Sequence, residues 1–176
     1  GLIPATILGV GTHFLATERP PDDTICSILP VYEQFEFVHQ VTIHRDTTYL
    51  GYLEELLHIP FVLPPRHISG YGHQTDLRLA SDCAETAIYG RRRQGYHVPY
   101  VGPKGILNYL QKADCFAPGV VLHFGHQVSV LYEDLGIPEK LDAEDILLHA
   151  YTNKVELIPL GFTGLLPGHC QIMTWR

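Results

Sequence analysis

The sequence lacks the features that would indicate a membrane span or a nucleic-acid-binding surface. It contains no uninterrupted run of about 18 apolar residues, the stretch that a transmembrane helix needs. Its 12 basic residues are outnumbered by 19 acidic ones, and the formal charge is −7. The one basic run is Arg91-Arg92-Arg93. Because phosphate binding needs a basic surface, we expect neither a nucleic-acid partner nor a membrane-spanning segment.

Cysteine is also scarce, and no two of the four cysteines form a C-x-x-C pair. Scattered cysteines in a chain of 176 residues do not make a dense disulfide scaffold. One structural bridge among Cys26, Cys115 and Cys170 stays open, because spacing does not decide the pairing. The H-E-x-x-H motif of zinc peptidases is absent as well. We therefore expect neither a resident metal ion nor a cofactor.

The length and composition fit a globular protein with its own core, since 45% of the residues are apolar and 18% are charged. We expect a β-rich appendage over residues 1–45 and a main domain over residues 46–176. Helical spacing of leucines predicts a helix over 46–58, and Pro103 predicts the start of another. The strands predicted in the last third, which favour an antiparallel sheet, are 120–124, 126–132, 146–150 and 155–160.

The most informative segment is Ser81-Asp82-Cys83-Ala84-Glu85. Asp82 is a good helix N-cap, and Glu85 lies three residues later, as a capping box requires. This places Cys83 in the first turn of a helix, where the backbone N–H groups and the helix dipole stabilise a thiolate. The segment therefore predicts a nucleophilic cysteine.

Two histidines follow Cys83 in the order that nucleophilic catalysis would use. His126 at the start of a strand is placed to take the thiol proton, and His149 on the next strand to orient the ring of His126. The backbone N–H of Cys83 is then a candidate oxyanion donor. His123 is a rival for His126, because Gly125 between them changes the local face of the strand.

Five short segments occur in an order known from a family of peptidases: Ile59-Pro60-Phe61-Val62, Asp82-Cys83-Ala84-Glu85, Pro118-Gly119-Val120-Val121-Leu122-His123-Phe124, His126-Gln127-Val128-Ser129-Val130 and Leu148-His149-Ala150. In this order, over roughly residues 48–160, the chain resembles the NlpC family of bacterial cell-wall cysteine peptidases, a papain-like group. The resemblance implies an α+β, papain-like fold in which a catalytic helix packs on an antiparallel sheet.

The resemblance also implies an activity, namely hydrolysis of amide bonds in peptidoglycan stem peptides, often at a D-glutamyl–diamino acid bond. Cys83 would attack the carbonyl carbon and form a thioester, and His126 would protonate the leaving amine and then activate water. His149 would be the third catalytic residue. Relatives in the superfamily are amidases or acyltransferases, so the acyl acceptor stays open. The implied partner is a peptidoglycan fragment or small peptide, and the implied location is the cell envelope or the exterior.

The sequence also departs from the family pattern. Asp-Cys-Ser-Gly is replaced by Asp82-Cys83-Ala84-Glu85, and the family tyrosine near the oxyanion site aligns with Phe61. Tyr71 lies nearer to Cys83 in sequence and is the alternative source of that hydroxyl. Together with His73 and Asp82, it is a candidate for the oxyanion site and the cleft.

Two other functions remain open from the residues. His123, His126 and His149 are ligand types that zinc accepts, so the chain is alternatively a zinc-dependent hydrolase. The departures from the family pattern favour a third reading, a binding module that has lost catalysis. The oligomeric state is not predicted.

Overall fold

The structure is a computed structural model that describes residues 8–16 and 38–176. Cys26 lies outside these residues. The described strands are β1 (Gly11–Ala16), β2 (Val38–Ile43), β3 (His67–Ile68), β4 (Gly72–His73), β5 (Leu110–Lys112), β6 (Val121–His123), β7 (Val128–Glu133), β8 (Ile146–Tyr151), β9 (Lys154–Pro159) and β10 (Gln171–Trp175). The α-helices are α1 (Tyr49–Glu54), α2 (Cys83–Arg93) and α3 (Pro103–Ile106), and three short 3₁₀ turns are Leu107–Tyr109, Leu160–Phe162 and Pro167–His169.

Six strands form the central sheet in the order β5-β10-β6-β7-β8-β9, and every neighbouring pair is antiparallel. The two smaller sheets are β1–β2 and β3–β4. The β1–β2 sheet contacts the segment after α1, where the Thr12 hydroxyl donates to the carbonyl oxygen of Glu55 at 2.6 Å. The boundary after residue 45 stays a prediction.

Side chains cover the central sheet on both faces. On one face, Val121, Val130 and Leu148 belong to a core cluster that includes the buried side of α2. On the other face, Leu131 and Leu147 belong to a second cluster. Residues of one strand alternate between the clusters because successive side chains of a strand point to opposite faces. We call these the α2 face and the far face.

Helix α2 has a defined beginning and end. Asp82 caps it, as the sequence predicts, by accepting the N–H of Glu85 at 2.8 Å. At the other end Gly95 has a φ of +94°, the N–H of Gly95 donates to Arg92 and that of Tyr96 donates to Arg91. These two bonds form a Schellman motif, whose left-handed position favours glycine.

Helix α2 also approaches α1 closely. A Cβ atom at Gly90 would lie 2.7 Å from side-chain atoms of both Leu53 and Tyr49, so only glycine fits at this contact. The approach anchors α2, and with it Cys83, against the interior of the protein.

The expected α+β, papain-like fold is wrong. The structure is mostly sheet, only 21% of it is helical, and no papain-like packing of a catalytic helix is evident. The helix predicted over 46–58 is limited to Tyr49–Glu54, and the one predicted from Pro103 ends at Ile106. His58, with a φ of 75°, leaves the helical conformation. The predicted strands of the last third are present, but they form a broad sheet with little helix over it.

Candidate functional site

Cys83 is the first residue of α2, yet its side chain belongs to the core cluster of the α2 face. It is 6% exposed, and its cluster includes Ala84, Ala87 and Val128. Burial raises the pKa of the Cys83 thiol to about 11, and hydrogen bonds from backbone N–H groups, that of Val128 first among them, offset only part of this rise. The thiol is therefore protonated at neutral pH, because burial outweighs the helix tip.

His149 lies on the far face, away from Cys83. Its neighbours Leu148 and Ala150 belong to the cluster of the α2 face, and strand alternation directs the side chain between them to the opposite side. Ser129, which pairs with His149 across β7 and β8, lies on the same far face. Its hydroxyl is 2.8 Å from Nδ1 of His149. The sheet itself thus lies between the thiol and this imidazole.

His126 is placed in a tight turn rather than at the start of a strand. Gly125 and His126 connect β6 to β7, and the N–H of Phe124 donates to the carbonyl oxygen of Gln127 at 2.8 Å. Gly125 has a φ of +84°, which a two-residue hairpin turn favours. His126 is consequently exposed at the tip of the hairpin.

The structure nevertheless brings His126 and His149 together. Both line a pocket of about 160 Å³ at the edge of the far face, together with Gln127, Tyr151, Thr163, Gly164 and Leu165. We call this the imidazole pocket. The side chains exposed nearby in sequence include Phe162 and Leu166, which flank the Thr163–Leu165 segment. The pocket is thus a small polar recess with apolar side chains close to it.

His149 is held as a neutral ring in this pocket. Burial lowers the pKa of His149 below its usual value, and Glu156 opposes the shift only weakly. Among its described hydrogen bonds, Ser129 and the amide of Gln127, the latter at 3.5 Å, contact Nδ1. Gln127 is itself fixed because its amide nitrogen donates to the carbonyl oxygen of Ala150 at 3.1 Å. The contacts on Nδ1 leave Nε2 for a ligand.

His123, the rival candidate, is a structural residue of the α2 face. It pairs with Val128 and is 4% exposed. Its Nδ1 accepts the N–H of Gly125 at 3.2 Å, so Nε2 carries the proton and donates to the carbonyl oxygen of Pro103 at 2.8 Å. Both ring nitrogens are therefore occupied by backbone groups, which leaves neither for a thiol or a metal ion.

The three residues expected at the oxyanion site and the cleft lie in different surroundings. Tyr71 is 46% exposed in the turn between β3 and β4. His73 stacks on Tyr100 with ring centroids 4.3 Å apart, and its Nδ1 lies 3.5 Å from a carboxylate oxygen of Glu85. Asp82 serves as the N-cap. None of these contacts brings a hydroxyl or an imidazole to the sulfur of Cys83.

Glu85 does not complete the predicted capping box. Its carboxylate instead accepts the hydroxyl of Thr75 at 2.6 Å. Burial raises the pKa of Glu85 to about 7, and the Thr75 hydrogen bond offsets part of that rise. The carboxylate therefore ties the loop before α2 to the helix.

The described residues offer no set of zinc ligands, which the alternative of a zinc-dependent hydrolase requires. Within residues 8–16 and 38–176, no group of three or more histidine, cysteine, aspartate or glutamate side chains could hold a metal ion. His123 and His149 lie on opposite faces of the sheet, so they cannot share one ion. In the same residues, no helix is long and apolar enough to cross a membrane.

Sequence reasoning missed Ser129, Gln127 and Tyr151. Strand alternation carried a signal for all three. Gln127 and Ser129 share the parity of one strand face, and Tyr151 shares the parity of His149 on the next strand. Thr163 and Gly164 follow β9 in a loop, and no sequence pattern connects them to His149. Comparisons with protein-family models, curated proteins and solved structures find no match to this chain.

Proposed function

We propose that this chain is a binding module that holds a small polar group of its ligand in the imidazole pocket. One observation carries the proposal: His126 and His149 share a pocket on the far face, while Cys83, at the start of α2, is buried on the α2 face. A nucleophile and a base that lie on opposite faces of a sheet cannot exchange a proton directly.

The size and lining of the pocket define its ligand. A cavity of about 150 Å³ takes a group the size of benzene, so only part of a larger molecule enters. Among residues 8–16 and 38–176, no aspartate, glutamate, lysine or arginine lines the imidazole pocket. The polar groups of the lining are the two imidazoles, the side chains of Gln127, Tyr151 and Thr163, and the backbone at Gly164. These groups suit an uncharged amide or hydroxyl group or a single carboxylate.

Exposed aromatic rings at the imidazole pocket add an apolar surface to its polar groups. Tyr151 is half exposed, and Phe162 is among the most exposed large apolar side chains. An aromatic ring beside a polar recess fits the apolar side chain of a short peptide or the face of a sugar. Peptidoglycan fragments, the partner class implied by the sequence resemblance, combine both, and they are the first ligands to test.

The test is a titration of the protein with a purified disaccharide tripeptide from peptidoglycan, followed through the ring resonances of its histidines. We expect saturable shifts for His126 and His149 and none for His169, an exposed histidine outside the pocket. The His126→Ala variant should weaken binding, and His169→Ala should leave it unchanged. Shifts that spare both pocket histidines, or equal affinity in the His126→Ala variant, would contradict the proposal.

A second candidate is amide hydrolysis through a Cys83 thioester. Its support is the position of Cys83 at the capped start of α2, and it requires the buried side chain to leave the core. Mass spectrometry of the same titration samples separates the two candidates. Cleavage by the wild type but not by Cys83→Ala would replace the binding proposal, whereas an intact fragment in both supports it.

A further inference from the structure

Two cysteines outside the imidazole pocket, Cys115 and Cys170, lie near the ends of the neighbouring strands β5 and β10. Strands β5 and β10 are antiparallel, with Lys112 opposite Met173. One residue further, the N–H of Ala113 donates to the carbonyl oxygen of Ile172 at 3.1 Å. Cys115 follows this pair in a bend, two residues beyond Ala113, and Cys170 directly precedes β10, two residues before Ile172.

Packing contacts place this region on the far face, where Phe116, next to Cys115, contacts the core cluster. Ala113 and Ile172 both pack against the core cluster of the far face, and so does Cys170. Cys115 and Cys170 also line one cavity of about 600 Å³. Both are free thiols, Cys115 exposed and Cys170 partly buried.

The shared cavity leaves room for the two thiols to approach each other. Disulfides join residues whose Cα atoms lie about 4.4–6.8 Å apart and whose side chains point to the same side. A bond between residues 115 and 170 therefore forms once the bend that contains Cys115 brings its Cα atom within this range of Cys170.

We propose that Cys115 and Cys170 are a redox-active pair, which a low-molecular-weight disulfide converts into an intramolecular disulfide bond. The exposed thiolate of Cys115 attacks the small disulfide, which releases one thiolate and leaves a mixed disulfide on Cys115. The sulfur of Cys170 then attacks Cys115, and a second small thiolate leaves. The two protons lost by the cysteines pass to the two released thiolates, so two small thiols are formed for each protein disulfide.

The order of the two attacks follows from burial. Burial raises the pKa of the Cys170 thiol to about 12, so little of it is ionised at neutral pH. Cys115 reaches solvent and meets the oxidant first, and Cys170 acts as the resolving thiol. The bond formed would join the end of β5 to the beginning of β10 and narrow the cavity that both residues line.

The test is incubation of the folded 176-residue chain with oxidised glutathione, followed by peptide mapping without reduction. Cys26→Ser is the parent variant, since it removes the thiol that lies outside the described residues. We expect a peptide pair linked through Cys115 and Cys170 and no linkage to Cys83. In Cys170→Ser we expect a stable glutathione adduct on Cys115, and in Cys115→Ser we expect at least a tenfold slower modification of Cys170. Linkage to Cys83, or an adduct on Cys115 that persists while Cys170 is present, would overturn the proposal.

Discussion

The two faces of the central sheet are built from alternating residues of the same strands, yet their chemistry differs. At β8, Leu148 and Ala150 join the apolar cluster that contains Cys83. Between them, His149 points to the other face and meets the hydroxyl of Ser129. One face therefore keeps a thiol neutral in the core, while the other directs an imidazole toward a pocket. Residues adjacent in sequence thus lie in an apolar core on one face and beside a polar pocket on the other.

The largest expected effect is a loss of stability, which tests whether both faces of the central sheet are buried in the core. Leu147 and Leu148 are neighbours on opposite faces, and both are almost fully buried. Because each truncation removes buried apolar area and leaves a cavity, Leu147→Ala and Leu148→Ala should each lower the free energy of unfolding by about 2–5 kcal/mol. Leu63→Ala, at an exposed leucine, is the control and should cost less than about 1 kcal/mol. Urea denaturation measures all three, and a loss in only one of the core variants would show that one face is solvated.

The second prediction concerns the pH dependence of Glu85, beside α2. Its pKa is about 7 in the folded protein against 4.5 for the free side chain, so the folded state binds the proton more tightly. This contribution to stability is complete below pH 4.5 and is lost as pH rises through 7, at most roughly 3 kcal/mol.

Replacing Glu85 by glutamine should therefore flatten the pH profile of unfolding between pH 4.5 and 8. Burial lowers the pKa of His149 instead, so its contribution is lost as pH falls below 6.5, the opposite direction. Urea denaturation of the wild type and Glu85→Gln at several pH values checks this. If the wild type and the variant gave pH profiles of the same shape, the pH dependence would not come from Glu85.

The smallest expected effect concerns the support of His149. Ser129→Ala removes the hydrogen bond to Nδ1, which leaves that nitrogen with the long contact to Gln127. We expect a loss of about 1–2 kcal/mol in the free energy of unfolding and weaker binding in the imidazole pocket, because the ring is less well oriented. Unchanged stability together with unchanged ligand affinity would mean that the Ser129 hydroxyl does not hold the ring.

Local sequence signals predicted several elements correctly. The Asp82 N-cap and the start of α2 at Cys83 followed from short-range capping chemistry, and the strands around Val130 and Leu148 followed from hydrophobic patterning. Helix length did not follow, since leucine spacing over 46–58 does not reveal the turn that begins after Glu54.

The candidate site was less accessible to sequence reasoning. The order of Cys83, His126 and His149 along the chain says nothing about which face of a sheet each side chain occupies. The parity of Leu148 and His149 contained that information, but it becomes decisive only once the packing of α2 on the sheet is known. Burial of Cys83 likewise depends on partners from β7, which are distant in sequence.

The central claim is that the sheet separates the Cys83 thiol from the imidazoles of His126 and His149. Its most direct test is the rate of Cys83 alkylation by iodoacetamide as a function of pH, in the wild type and in His149→Ala, with the exposed Cys115 as internal reference. Since burial raises the pKa of Cys83 to about 11, Cys83 should react roughly a hundredfold more slowly than Cys115 near pH 7.5, with the same profile in both proteins. Faster alkylation of Cys83 than of Cys115, lost in His149→Ala, would contradict the account.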